Sequence, residues 1–263
     1  MLRWAGSKRQ LRTELARYWK PSFDRYVEPF AGSGSLFFWI SPPRAILADK
    51  NHELIATYRV LLRRPEELHA LVSCYPKGKA AYYGLRSENP GELSDSWRAA
   101  RFLFLNRYCF NGIYRTDRSG RFNVPYSPTK TGRVPSLRAF QMCAQLLRRA
   151  TLKCADFGTT LRDVRAGDFV YLDPPYATTT RRVFTEYGPR PFGPEDLVRL
   201  LDHLRKLDAR GAAFVLSYAD CAELRSVKSD WNVRRVTVRR NVAGFRSKRR
   251  RARELIVSNI DLE

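Results

Sequence analysis

Apolar residues fall along this chain in two alternating rhythms. Short runs read as strands: DRYVE (24–28), RAILAD (44–49), TLKCAD (151–156), DFVYLD (168–173), AAFVLSYA (212–219), NVRRVTVRR (232–240) and ELIVSN (254–259). The fourth and fifth are almost uninterrupted hydrophobics, the pattern of central strands covered on both faces. Between the runs the period lengthens. From Pro194 to Arg210, Leu197, Leu200, Leu201, Leu204 and Leu207 form one stripe. Pro194 suits the first helical position, Glu195 and Asp196 the positive N-terminal end, and Gly211 the stop. A second helix follows Asn51, with Leu54, Ile55, Tyr58, Leu61 and Leu62 on one face. Strands alternating with helices predict an α/β fold, with helices on both sides of the sheet. The alternation lapses between about residues 64 and 135, where the chain is helical and polar and then rich in Gly, Asn and Arg. That segment reads as a module inserted between the second and third strands.

Charge changes the picture. Lys and Arg number 48 against 26 Asp and Glu, a formal net charge of +22. An excess of this size predicts attraction to a polyanion, nucleic acid first. Ten basic residues and no acid lie between Arg234 and Arg253, so the charge is concentrated as well as large. The run includes Arg246, Lys248 and Arg249 and falls between two strand-like stretches, which predicts a hairpin or loop. An anionic membrane surface would attract the same run, but no lipid-facing amphipathic helix or lipidation motif accompanies it. No apolar run approaches the roughly 20 residues that cross a bilayer, and the N-terminus lacks the apolar core of a secretory signal. The expectation is a cytosolic protein, monomeric or weakly dimeric. The five cysteines and three histidines are dispersed, without a C-x-x-C pair. Neither a metal site nor a disulfide framework is expected.

Two stretches carry candidate chemistry. YVEPFAGSGSLFF (26–38) is a strand, a turn and a helix start. Gly32 and Gly34 permit a tight turn and close approach of backbone to a ligand. By itself a G-x-G is more often just a turn, and the third glycine of the dinucleotide fingerprint and the lysine of a P-loop are both absent. Asp49 ends the next strand-like run, where an acid accepts hydrogen bonds from ribose hydroxyls in nucleotide-binding α/β folds. The alternative is a helix-capping acid. Adenosine with a small polar tail suits such a pocket better than a phosphate-rich ligand.

The second stretch is FVYLDPPYAT (169–178). Two prolines after a hydrophobic strand make a stiff, extended turn. They fix the Asp173 carboxylate and the Pro174 carbonyl as paired acceptors, and Tyr176 adds a flat ring beside them. The amino group of adenine is a weak nucleophile because its lone pair is delocalised into the ring. Two acceptors on its N–H groups favour a tetrahedral nitrogen, and they stabilise the positive charge that builds as it attacks a sulfonium methyl. Tyr176 supplies a stacking face that also tolerates a cationic methyl donor, and alignment of sulfur, methyl and nitrogen supplies further rate. A cytosine-C5 enzyme would need a cysteine following a proline, and no cysteine here does.

Taken together, RWAGSK (3–8), EPFAGSGS (28–35), AILADKN (45–51), FLNRYCFNGIYRTDRSGRFNVPY (104–126), YLDPPY (171–176), VLSYAD (215–220) and ELIVSN (254–259) resemble the Dam-type, D12-class DNA adenine-N6 methyltransferases over nearly the whole chain. The resemblance implies an S-adenosylmethionine-dependent methyltransferase fold: a mostly parallel seven-stranded sheet, formed by residues 1–63 and 136–263, with an inserted, mainly helical recognition domain at 64–135. It implies S-adenosylmethionine as donor, S-adenosylhomocysteine as product, no metal, and duplex DNA as partner. Trp4, Lys8, Phe30, Gly32, Gly34, Asp49 and Asp173 would hold the cofactor, and Asp173, Pro174 and Tyr176 would act on the amine.

A stacked base cannot reach a pocket at strand ends, so the target must be flipped out at a cost of a few kcal/mol. In the inserted loop Phe110 would wedge between bases, Asn111 bond the orphaned partner, Arg115 grip a guanine edge and Ile113 meet a thymine methyl. The resemblance suggests a GATC-like site, with Arg3 where a basic residue contacts the first guanine. Phe110 stands where some relatives have tyrosine, and Pro128 where an arginine can follow NVPY. Arg246, Lys248 and Arg249 would contact phosphates, positioning the duplex without reading it. Three alternatives remain open: an RNA or protein-amide methyltransferase, an adenine enzyme of other specificity in a restriction–modification system, and a noncatalytic DNA-binding protein on the same fold.

Overall fold

The structure is a computed structural model that describes residues 2–4, 8–117, 119–128, 133–177, 192–239 and 251–262 of the 263-residue chain. Arg246, Lys248 and Arg249 lie outside the described residues. The architecture is mixed α/β. Seven strands form one sheet in the order β3-β2-β1-β4-β5-β7-β6. Contacts divide the chain into two compact units. A helical unit holds Asn51–Cys154 with residues 2–4, and a sheet unit holds Lys8–Lys50 with residues 155–177 and 192–262.

The sheet unit begins with α1 (Arg12–Ala16), β1 (Tyr26–Glu28), α2 (Phe37–Ile40) and β2 (Ala45–Asp49). The helical unit follows with α3 (His52–Arg63), α4 (Pro65–Cys74), α5 (Lys79–Ser87), α6 (Asp95–Tyr108), α7 (Leu137–Leu147) and β3 (Ala150–Cys154). The chain then returns through α8 (Phe157–Arg162), β4 (Phe169–Leu172), α9 (Pro194–Ala209), β5 (Ala213–Ala219), α10 (Ala222–Arg225), β6 (Asn232–Arg239) and β7 (Arg251–Ser258). Each strand-like run of the sequence corresponds to one strand. β1 pairs in parallel with β2 and β4, and β4 with β5, whereas β7 runs antiparallel to both β5 and β6.

Both faces of β1 and β4 are covered, which is why their sequences do not alternate. Val27, Val170 and Leu172 face a core with Leu200, Leu204 and Phe214. Tyr26 and Phe169, paired across the two strands, face the other way and meet Trp19 edge-on. Arg25 grips the nearly inaccessible Asp168 at 2.8 and 2.6 Å, fastening the strand starts together. α9 buries the five predicted leucines, each contributing about 1.5–3 kcal/mol. Pro194 occupies its first turn, Asp196 accepts from the Gly193 N–H, and Gly211 adopts φ 78° beyond its end.

In the helical unit Asn51 caps α3 by accepting from the Leu54 N–H. The buried face of α3 is broader than the single stripe expected: Thr57 and Val60 are buried, and Leu62 is only half-buried. α6, α4 and α7 surround it rather than one neighbour. α6 is buried almost all round, and its Arg101 donates to the Leu85 and Arg86 carbonyls at the end of α5. Those carbonyls have no partner within their own helix. β3 is half-buried to exposed, as befits the last strand in the sheet order.

Candidate active site

β1 has β2 on one side and β4 on the other, all parallel, so their carboxyl ends open together. In an open α/β sheet this divergence is where a crevice forms. Asp49 ends β2, the G-x-G turn follows β1, and Asp173 follows β4.

Beyond β4, four groups converge. Lys8 Nζ lies 2.8 Å from Asp173 Oδ1, donates to the Tyr176 hydroxyl at 3.1 Å, and sits 3.6 Å from Glu254 Oε2. The Tyr176 hydroxyl donates to Glu254 Oε1 at 2.6 Å. Ser217 donates to Asp173 at 3.4 Å and lies beside the Tyr171 hydroxyl. The backbone past the prolines is pinned as well, because the Ala177 N–H donates to the Tyr218 hydroxyl, whose ring meets Tyr176 edge-on. Pro174 is buried, and Asp173 and Tyr176 are half-buried.

Electrostatics follow from burial. Lys8 and Glu254 are 8% and 3% exposed. Burial pulls the Lys8 ammonium down, but attraction to Asp173, then to Tyr176 and Glu254, outweighs it, and its pKa stands above the ordinary lysine value. Burial pushes the Asp173 carboxyl upward, and the Lys8 ammonium holds that rise back. Burial also pushes the Tyr176 hydroxyl to about 12, so it stays protonated and donates. Glu28, at the end of β1, accepts from the Tyr26 hydroxyl at 2.9 Å. Burial raises its pKa well above the ordinary glutamate value, Tyr26 opposing.

At the G-x-G turn Gly32 and Gly34 have φ of 46° and 59°. This left-handed backbone is the reason for glycine at both places. The Gly32 N–H donates to Asp49 Oδ2 at 2.9 Å, which fixes the carboxylate across the turn. A carboxylate has about four acceptor positions, so this bond leaves capacity for hydroxyl donors. Half-buried Phe30 packs on Phe157 and Phe192. Ser35 Oγ is buried with no hydrogen-bond partner among the described residues. A turn of left-handed glycines, an anchored acid, an aromatic flank and an unsatisfied hydroxyl fit a nucleoside-bearing cofactor such as S-adenosylmethionine.

The helical unit assembles the other predicted residues. The Asn106 side chain accepts from the Arg3 N–H at 2.9 Å and donates to the Arg3 carbonyl at 2.6 Å. The Arg3 guanidinium donates to the Arg107 carbonyl at 2.8 Å. Gly112, at φ 66°, lies so near that a Cβ there would stand 2.6 Å from Arg3 Cβ. Asn111 also has a left-handed φ of 54°. Trp4 stacks on Tyr114, which meets Phe102 and Phe122. Phe110 and Ile113 are half-buried against the cluster around Tyr82, Phe104 and Tyr108. Arg115 Nε donates to Asn123 Oδ1 at 2.7 Å, which sets the direction of its guanidinium.

The model of the D12 class N6 adenine-specific DNA methyltransferases matches residues 4–242. The chain belongs to this class. Among its relatives, the Type II methyltransferase M1.LlaDCHI of Lactococcus lactis subsp. cremoris is 32% identical over 98% of this chain and 94% of its own length. The Type II methyltransferase M.MjaIII of Methanocaldococcus jannaschii is 31% identical over 92% of this chain and 91% of its own. The DNA adenine methylase of Escherichia coli K12 is 31% identical over 97% and 93%.

Three further residues of this D12 methyltransferase take their place in these clusters only through the fold. Glu254 opens the strand-like run ELIVSN without a role of its own, but β7 begins at Arg251 and places it mid-strand. Asn106 lies in FLNRYCFNGIYRTDRSGRFNVPY (104–126), where its residue type alone marks no role. Glu28 was legible only as the polar end of a strand. An acid just before a glycine turn, and one opening a hydrophobic run, are the signals that the sequence carries.

Proposed function

We propose that this chain transfers a methyl group from S-adenosylmethionine to N6 of an adenine flipped out of duplex DNA. The observation that carries the proposal is the cluster of Lys8, Asp173, Tyr176 and Glu254 at the carboxyl end of β4, beside the left-handed glycine turn that follows β1. Gly32, Gly34, Asp49 and Phe30 hold the nucleoside half of the cofactor, and Trp4 and Lys8 assist. The cofactor supplies an electrophilic methyl on sulfonium. Asp173 and the Pro174 carbonyl accept the two N–H groups of the amine, which localises its lone pair and stabilises the charge that develops there. Tyr176, its hydroxyl tethered to Glu254, offers its ring to the base.

In this reading residues 64–135 act as the target-recognition module. Arg115 reads a guanine edge, Phe110 and Asn111 fill and bond the vacated position, Ile113 meets a thymine methyl, and Arg3 contributes a basic contact at a GATC-like site. Arg246, Lys248 and Arg249 bind phosphates. Two of the relatives named above are Type II methyltransferases, which favours a second reading: the same chemistry at a different site, within a restriction–modification system.

Transfer of labelled methyl to unmodified duplex DNA, with modified bases mapped by sequencing, tests the reaction and its site together. Asp173→Ala is expected to bind DNA and transfer nothing. Parental turnover in that variant refutes the mechanism.

A further inference from the structure

Lys8 stands between two carboxylates, 2.8 Å from Asp173 and 3.6 Å from Glu254. Lys8 Nζ and the Ser217 hydroxyl both reach Asp173 Oδ1, so an amine that approaches this oxygen competes with them. Glu254 arrives from β7, opposite Ala219 of β5, far from Asp173 in sequence. One of its oxygens accepts from Tyr176. The other, Oε2, is buried without a hydrogen bond among the described residues, on the side of Lys8. A buried carboxylate oxygen without a hydrogen bond costs free energy in this arrangement, and a partner that reaches it recovers that cost.

We propose that Glu254 is a positioning residue of the methyl-transfer site: it takes over Lys8 when Asp173 engages the target amine. The inference rests on the adenine methylation reading. Moving Nζ from Asp173 towards Oε2 completes the orphaned bond and opens the Asp173 oxygen, and the ammonium is never stripped of a counter-ion. The exchange forms and breaks no covalent bond and moves no proton. Lys8 sets one positive charge against two acidic side chains, so the charge balance of the cluster leans negative. That charge favours a sulfonium over the neutral thioether left after transfer.

Two measurements on the full chain test this. One is kcat for methyl transfer to duplex DNA. The other is calorimetric affinity for S-adenosylmethionine and S-adenosylhomocysteine without DNA. Glu254→Gln keeps the shape and an acceptor for Tyr176 but removes the charge. Its kcat should fall on the order of 10²-fold, because Lys8 is then committed to Asp173. Its affinity ratio should move about tenfold against the sulfonium. Glu254→Asp keeps the charge and should retain most of both, and it decides the question alone if the glutamine variant does not fold. Parental kcat in Glu254→Gln, equal weakening of both ligands, or an aspartate variant as impaired as the glutamine one overturns the proposal. If the wild-type chain methylates adenine while Glu254→Gln is fully active, this inference alone falls. If the wild-type chain transfers no methyl to adenine, both fall.

Discussion

Replacing Lys8 by methionine isolates the charge that holds the cluster together. At an effective dielectric constant near 20, an ammonium at 2.8 Å from one carboxylate and 3.6 Å from another attracts them by about 6 and 5 kcal/mol. More than half of this is offset because methionine escapes the desolvation cost of a buried ammonium. A net loss of about 3–5 kcal/mol remains at pH 8, the range for an uncompensated buried charge. The loss should depend on pH in a defined direction. Without Lys8, nothing holds back the rise that burial gives the Asp173 carboxyl, so its folded-state pKa stands further above the unfolded one. A carboxyl raised in this way stabilises the fold below its unfolded value and loses that contribution as pH climbs towards the folded value. The variant should therefore match the wild type near pH 4 and fall behind as pH rises, by up to about 1.4 kcal/mol per unit. Urea unfolding of both proteins from pH 4 to 9 gives the comparison. A difference below about 1 kcal/mol at pH 8, or one that does not vary with pH, refutes the reasoning.

Three further outcomes are expected. Glu28→Gln removes a buried acid whose pKa lies well above the ordinary 4.5. The wild type loses stability as pH rises from about 4.5, because only the unfolded chain ionises there, so the variant should gain on it by up to about 1.4 kcal/mol per pH unit and equal it below pH 4; no gain by pH 8 in denaturant titrations would count against a neutral Glu28. Asn106→Leu deletes both bonds to the Arg3 backbone and should cost about 2–3 kcal/mol. Hydrogen exchange at the Arg3 amide should accelerate about 30-fold or more, and unchanged protection would show that the clamp holds nothing. Arg115→Ala should lose about 1–3 kcal/mol of discrimination at one base pair. Uniform weakening across all sequences in competition binding would make Arg115 a phosphate contact instead.

Strand and helix positions were open to reading from the chain because their causes are local. Uninterrupted apolar runs marked β4 and β5, the leucine stripe with Pro194 and Gly211 marked α9, and Asn51 announced α3. The wider burial of Thr57 and Val60 was not open to the same reading, because it depends on which elements α3 meets and not on its own period. Motifs fared similarly. Two glycines and an acid are written in sequence order, and the left-handed φ values at Gly32 and Gly34 are what glycine there permits.

By itself, then, the sequence determined the element types, the glycine turn, the acid–proline turn after β4 and the family those features belong to. Only the tertiary structure decided that Lys8 and Glu254 share a buried site with Asp173 and Tyr176, and that Asn106 fastens Arg3 to α6. The physical reason is range. Hydrophobic period, capping and backbone sterics act over a few residues and leave their mark in the order of residues. An ion pair acts through space, and its partners are chosen by strand order and register. The antiparallel pairing of β7 with β5 brings Glu254 opposite Ala219, and no local pattern records it.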